Sequence, residues 1–194
     1  MRWISLTLFS LLVMPVWADF SDGVSAYQRA DYTTAVREFT AAARLGDVSA
    51  QYNLGFMYAT GQGVAKNYHE AFFWFLKAAK RGDSESQFHV GGMYENGLGV
   101  HQNYSQAIKW YRKTAEQGLA VAQLTLGGLY GIGLGAPQSY SQAYAWFSLA
   151  ANQGNDSALQ AKQLTEEVIS LQQINAAQLF SQSIAKKYIQ VSPK

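Results

Sequence analysis

The chain has 194 residues, 15 basic against 13 acidic, a formal net charge of +2 and no cysteine. So small an excess of charge gives no field for steering toward nucleic acid or anionic lipid. Without a thiol there can be no disulfide framework, no cysteine-ligated metal centre, no cysteine nucleophile and no lipid-modified N-terminal cysteine, so stability must come from packing.

In chain order, residues 1–18 read as a secretory signal peptide. Arg2 supplies positive charge, Ile4 to Val13 form a short apolar run, and Val16-Trp17-Ala18 set a small residue before the expected cleavage after Ala18. The run is too short to cross a bilayer, and no later segment is long enough for a transmembrane helix. A periplasmic or secreted mature chain is therefore expected. Residues 19–46 read as a degenerate N-terminal repeat or cap. Tyr32, Ala35, Phe39, Ala43 and Gly46 fit the second helix of the units that follow, but no Gly-x-Gly turn precedes them.

A shift of 36 residues then superimposes three units, 47–82, 83–118 and 119–154. Ten positions are identical in all three, among them Gln51/Gln87/Gln123, Gly55/Gly91/Gly127, Tyr58/Tyr94/Tyr130, Gly63/Gly99/Gly135 and Trp74/Trp110/Trp146. Each unit predicts two helices, helix A from about Ser49 to Ala59 and helix B from about Tyr68 to Lys80 in the first. A Gly-x-Gly turn lies between them. Asn67, Asn103 and Ser139, each followed three residues later by Glu or Gln, predict a capping box at the start of helix B. Leu54, Gly55 and Tyr58 share one face of helix A, and Trp74, Phe75 and Ala78 give helix B an apolar stripe. One hairpin cannot bury both faces, so neighbouring units must stack. Residues 155–194 read as a C-terminal helical cap. The repeat match survives only to Ala158, after which Leu171, Ile174, Ala177, Phe180, Ile184 and Tyr188 predict one long amphipathic helix over the exposed face of the last repeat.

The pattern Ala50-Gln51, Leu54-Gly55, Tyr58, Gly61-Gln-Gly63-Val64, Ala71, Trp74-Phe75 and Ala78-Ala79 resembles the Sel1-like repeat family, relatives of tetratricopeptide repeats. The resemblance implies an all-α fold, a right-handed α/α superhelical solenoid of helical hairpins with helical caps. It further implies a non-catalytic adaptor or regulator of the bacterial cell envelope with a protein or peptide partner. Leu119, where the other units have Asp47 and Asp83, and Ala136-Pro137 in the third loop depart from the pattern.

The identical positions concern packing, so binding is sought where the copies differ. By resemblance to tetratricopeptide repeats, a stripe on helix A lines the concave surface of the solenoid. The residues expected there are Tyr52, Phe56 and Thr60 in the first unit, Glu85, Phe88, His89, Glu95 and Asn96 in the second, and Leu124 in the third. Aromatic anchors with a few polar groups suit an extended peptide or a partner helix. The competing reading is that Tyr52, Phe56 and Phe88 are buried against a neighbouring helix or cap. A second functional reading is a peptidoglycan- or glycan-binding module using the same aromatics.

No catalytic constellation is legible, and no cofactor is expected. His69, His89 and His101 share no helical ligand spacing, so no metal site is expected. Glu85 and Glu95 stand at opposite ends of one short helix, too far apart for shared acid–base work. Gly61-x-Gly63 lacks the third glycine and the preceding strand of a dinucleotide site. Glu166-Glu167 read as a solvated helix face. Asn103 and Asn155 head glycosylation sequons but also fit as a helix cap and a post-helix turn. Trp74, Trp110 and Trp146 could stack on sugars, yet their repetition on helix B reads as core.

Overall fold

The structure is a computed structural model that describes residues 20–191, with side chains described through residue 187. The expected export segment and the Tyr188 side chain lie outside the described residues. The described residues form ten helices and no strand: α1 (Phe20–Gln28), α2 (Tyr32–Arg44), α3 (Val48–Thr60), α4 (Tyr68–Lys80), α5 (Ser84–Asn96), α6 (Tyr104–Ala115), α7 (Ala120–Ile132), α8 (Tyr140–Ala151), α9 (Asp156–Glu166) and α10 (Leu171–Val191). Each odd-numbered helix from α1 to α7 pairs with its successor, and each pair packs on the first helix of the next. The core therefore runs as successive aromatic and aliphatic clusters along an α/α solenoid.

Helix A and helix B of a unit meet through a glycine under an aromatic ring. A Cβ on Gly55 would stand 2.9 Å from the Phe75 ring, one on Gly91 2.7 Å from Tyr111, and one on Gly127 2.5 Å from Phe147. Those separations are inside van der Waals contact, so only glycine admits the ring. The N-terminal hairpin repeats the device with Gly23 beneath Phe39. Its sequence lacks the Gly-x-Gly loop, and Ala30 (φ 60°) makes the tight turn instead.

The loops of the three full units dock on the preceding unit. Gly63, Gly99 and Gly135 have φ of 67–77°, and a side chain on any of them would collide with the backbone of Tyr32, Tyr68 or Tyr104 at the start of the preceding helix B. Glycine is required there twice over, for its backbone conformation and for the space. A buried polar ladder adds register. Gln51, Gln87 and Gln123 donate from Nε2 to the Ala43, Ala79 and Ala115 carbonyls at 3.0–3.2 Å. Gln117 and Gln153 then donate to Gln87 and Gln123 at 2.8 Å. In the first unit Arg81 occupies that donor position and bonds the Gly46 carbonyl instead, leaving Gln51 Oε1 buried without a partner.

The helix B starts differ from the expected capping box in one respect. Asn67, Asn103 and Ser139 do accept from the amide three residues on, at 3.0–3.3 Å. Their own amides, however, donate to the Tyr58, Tyr94 and Tyr130 carbonyls at 2.8–2.9 Å. That bond closes the hairpin, so the Glu or Gln side chain is not needed as the second acceptor. On helix A, Asp47 and Asp83 cap α3 and α5, whereas Leu119 gives α7 no side-chain cap.

The C-terminal segment also departs from expectation. Residues 156–166, left without a helix by the repeat pattern, form α9, capped by Asn155 on the Ala158 amide at 2.9 Å. The long helix α10 folds back on α8: Ala177 and Ile184 are buried, Phe180 meets Trp146 edge-on at 5.9 Å, and Lys187 reaches Glu116 at 3.9 Å. Leu171, expected on its buried face, is 73% exposed. Glu166, read as solvated, accepts a 2.7 Å hydrogen bond from Tyr144 and pairs with Lys162, tying α9 to α8.

Two adjacent glycines test this account of packing. Gly127→Ala drives a methyl group into Phe147 and should destabilise the fold by about 1–3 kcal/mol. Gly128 is helical, and its Cβ would meet nothing within 4 Å. Gly128→Ala should therefore stabilise by about 0.5–1 kcal/mol through helix propensity alone. Urea denaturation followed by circular dichroism reads both, and equal effects would refute the ring-over-glycine packing.

Candidate binding face on the first helices of the repeats

The ring that covers each glycine has a second side. Phe75, on α4, is 1% exposed, and beyond Gly55 it stacks on His89 of α5 at 4.6 Å with planes 12° apart. Tyr52 of α3 leans on both rings at 5.8 Å. One unit further, Tyr111 of α6 packs against Phe88 at 5.3 Å, and its hydroxyl donates to Glu95 Oε2 at 2.6 Å. The buried helix B aromatics thus form a floor, and half-buried aromatics of α3 and α5 stand on it.

Between α3, α4 and α5 this arrangement leaves an open cleft of about 210 Å³, walled by Tyr68, Phe75, Phe88, His89, Gly92 and Asn96 among others. Of the residues expected on the binding stripe, Phe88, His89 and Asn96 meet at the cleft. Tyr52 adjoins it through Phe75 and His89, and Phe56 is half-buried in the same cluster. Glu85 is exposed one helical turn before His89. Glu95 is half-buried beside Tyr111. Thr60 is exposed, and its hydroxyl turns back to the Phe56 carbonyl at 2.9 Å. Leu124 is half-buried against the third unit's core and does not line the cleft. Tyr52, Phe56 and Phe88 are half-buried, neither free of the scaffold nor enclosed by it.

Phe75 and Tyr68 were not among the expected site residues, because their repeated positions read as core. Gly92, also in the cleft wall, was not among them either. A Cβ there would meet only the Tyr111 hydroxyl at 3.4 Å, so packing does not require the glycine.

Burial holds the His89 pKa below its ordinary value, against the opposing pull of Glu85 and Asp83. Burial, reinforced by Glu85, raises that of Tyr52, and burial with the Glu95 hydrogen bond raises that of Tyr111. The cleft therefore presents a neutral imidazole at neutral pH, with the neutral phenols of Tyr52 and Tyr111 beside it. Among the described residues no three His, Cys, Asp or Glu side chains gather as a metal site. Trp74 and Trp146 lie in the core and Trp110 is half-buried under Lys113, whose ammonium stands 4.4 Å from the ring. A second hollow, of about 250 Å³, lies where α10 crosses α6 and α8, between Arg112, Gln142 and Phe180.

The His89 shift has a signed consequence. The folded state binds the proton less readily than the unfolded chain, whose histidine titrates near about 6.5, so stability falls as pH drops through that value. His89→Phe should remove this component: urea titrations near about pH 7.5 and 5.5 should show a smaller acid-induced loss in the variant than in the parent. Equal losses would mean that His89 burial is not the source.

Comparison with known proteins agrees with this architecture. The sequence matches the Sel1 repeat three times, over residues 48–83, 84–119 and 120–155. The fold is similar to the crystal structure of a Sel1 repeat protein from Oxalobacter formigenes, with a TM-score of 0.71 and 35% identity over 75% of this chain and 60% of that one. It is also similar to a protective antigen present in uropathogenic Escherichia coli strains that displays an SLR fold, with a TM-score of 0.74 and 32% identity over 89% of this chain. This chain spans 60% and 41% of the lengths of those two proteins. No curated protein matches the sequence. Three consecutive repeat matches covering more than half of the chain, on a solenoid shared with these structures, establish that the chain belongs to the Sel1 repeat family.

Proposed function

We propose that this protein is a non-catalytic adaptor of the cell envelope that binds a protein or peptide through the helix A face centred on the α3–α5 cleft. Sel1 repeats are generally protein-interaction modules, and the family is generally a non-catalytic scaffold. The observation that carries the reading is the cleft itself. Half-exposed Tyr52 and Phe88 stand on a rigid floor of Phe75 and Tyr111, giving anchors whose positions are fixed before any partner arrives. Fixed aromatic anchors bind well because little side-chain freedom remains to be lost. The reading of residues 1–18 as an export segment supports an envelope location, periplasmic or secreted. No described helix is long and apolar enough to cross a membrane.

Site-specific photocrosslinking in intact cells tests the face directly. A crosslinker at Asn96, on the cleft rim, should capture a discrete protein partner, and one at Lys109, exposed on α6, should not. Phe88→Ala should reduce the Asn96 adduct by roughly tenfold while the chain stays folded by circular dichroism. Adducts of equal yield from both positions would refute the helix A face. Sedimentation with purified peptidoglycan that depends on Tyr52 and Phe88, in the absence of protein adducts, would favour the glycan-binding alternative.

A further inference from the structure

Size, charge and one unexplained glycine together describe what the cleft takes. Its volume of about 210 Å³ falls below the roughly 300–1,000 Å³ typical of pockets for whole small molecules. An apolar wall of this size fits a single aliphatic or aromatic side chain.

The charged groups on the first helices of the three units have one sign. Along α3, α5 and α7 the only acidic or basic side chains besides His89 are Glu85 and Glu95. The second helices of the first two units carry Lys77, Lys80, Lys109, Arg112 and Lys113 against one carboxylate, Glu70. One cation, Lys66, rests on the Tyr68 ring at 4.7 Å at the loop edge. Among the described residues the ion pairs lie elsewhere, at Glu38, Glu116 and Glu166, and neither Glu85 nor Glu95 is paired with a described cation. Glu85 in the first turn of α5 complements the helix dipole. Glu95 in the last turn opposes it, so helix electrostatics does not account for the pair.

Gly92 lies between these carboxylates and forms part of the cleft wall. In mid-helix it costs about 1 kcal/mol relative to alanine. It lines the cleft, and a Cβ there would meet only the Tyr111 hydroxyl, at 3.4 Å.

Resting on the reading of this face as the binding surface, we infer that the partner is a basic peptide segment, with one apolar side chain seated in the cleft and lysine or arginine on either side facing Glu85 and Glu95. The two glutamates are ten residues apart in one helix, about 15 Å. An extended chain covers that span in roughly four or five residues, so the basic residues fall within about three positions of the anchor.

Panning the purified protein against a phage-displayed library of random dodecapeptides tests the inference. Enriched peptides should carry an apolar residue with Lys or Arg within about three positions on both sides. Synthetic copies should bind more weakly as salt rises and to Glu85→Gln. Gly92→Leu plugs the cleft from an open position, so it should weaken binding roughly tenfold while melting no lower than the parent. Enriched peptides without basic residues, or peptides that bind Gly92→Leu and the parent equally, would overturn the inference. If no peptide is enriched while Asn96 still crosslinks a partner, the basic-peptide inference falls and the binding face stands. If the Asn96 adduct is absent as well, both fall.

Discussion

A ring seated on a glycine is the constraint from which the rest of this molecule follows. It occurs in four successive hairpins, Phe39 on Gly23, Phe75 on Gly55, Tyr111 on Gly91 and Phe147 on Gly127. Removing the Cβ from helix A lets helix B come close enough to bury a whole aromatic ring, and burying a ring is the largest hydrophobic gain one side chain offers. The close approach also sets where the far side of the ring emerges. Phe75 of the first unit is stacked by His89 of the second, and Tyr111 packs against Phe88 of its own hairpin. One contact therefore closes the hairpin and lays the floor of the cleft.

The repeat, its two helices and the turn between them were legible because 36-residue identity and 3.6-residue periodicity are both properties of a single chain. What lies across from a residue is not. The triply identical Gln51, Gln87 and Gln123 gave no hint that they bond the carbonyl ends of the preceding helix B, because that partner belongs to another unit. Phe75 read as core and is core, but its stacking partner His89 belongs to the next unit. Glu166 looked solvated from its own helix, since Tyr144, its donor, sits on a different one. The direction of α10 was illegible for the same reason: its apolar stripe shows that it packs, not that α8 receives it.

The degenerate N-terminal unit sharpens the distinction between what the scaffold needs and what can vary. It lacks the Gly-x-Gly loop and keeps the ring over glycine, so the ring contact does not depend on the loop. In the three full units the loop glycine touches the helix B before it and is kept. By contrast, Gly92 and Gly128 serve no packing contact, although each lowers helix stability. Scaffold and proposed binding face thus use the same residue type for opposite reasons, to admit a ring of the same chain or to leave a place open. The division of charge follows the same line, with carboxylates on the cleft helix and most cations on the helices behind it.

The central claim is that the ring and the absent methyl group are energetically coupled, and a double-mutant cycle on Gly55 and Phe75 measures that most directly. Gly55→Ala in the parent should cost about 1–3 kcal/mol, because the ring has nowhere to move. In a Phe75→Leu background the smaller side chain leaves room, and the same substitution should cost about 1 kcal/mol less or become neutral. Additive costs in the two backgrounds would show that the glycine is not there for the ring, and the account of both hairpin and cleft floor would fail with it.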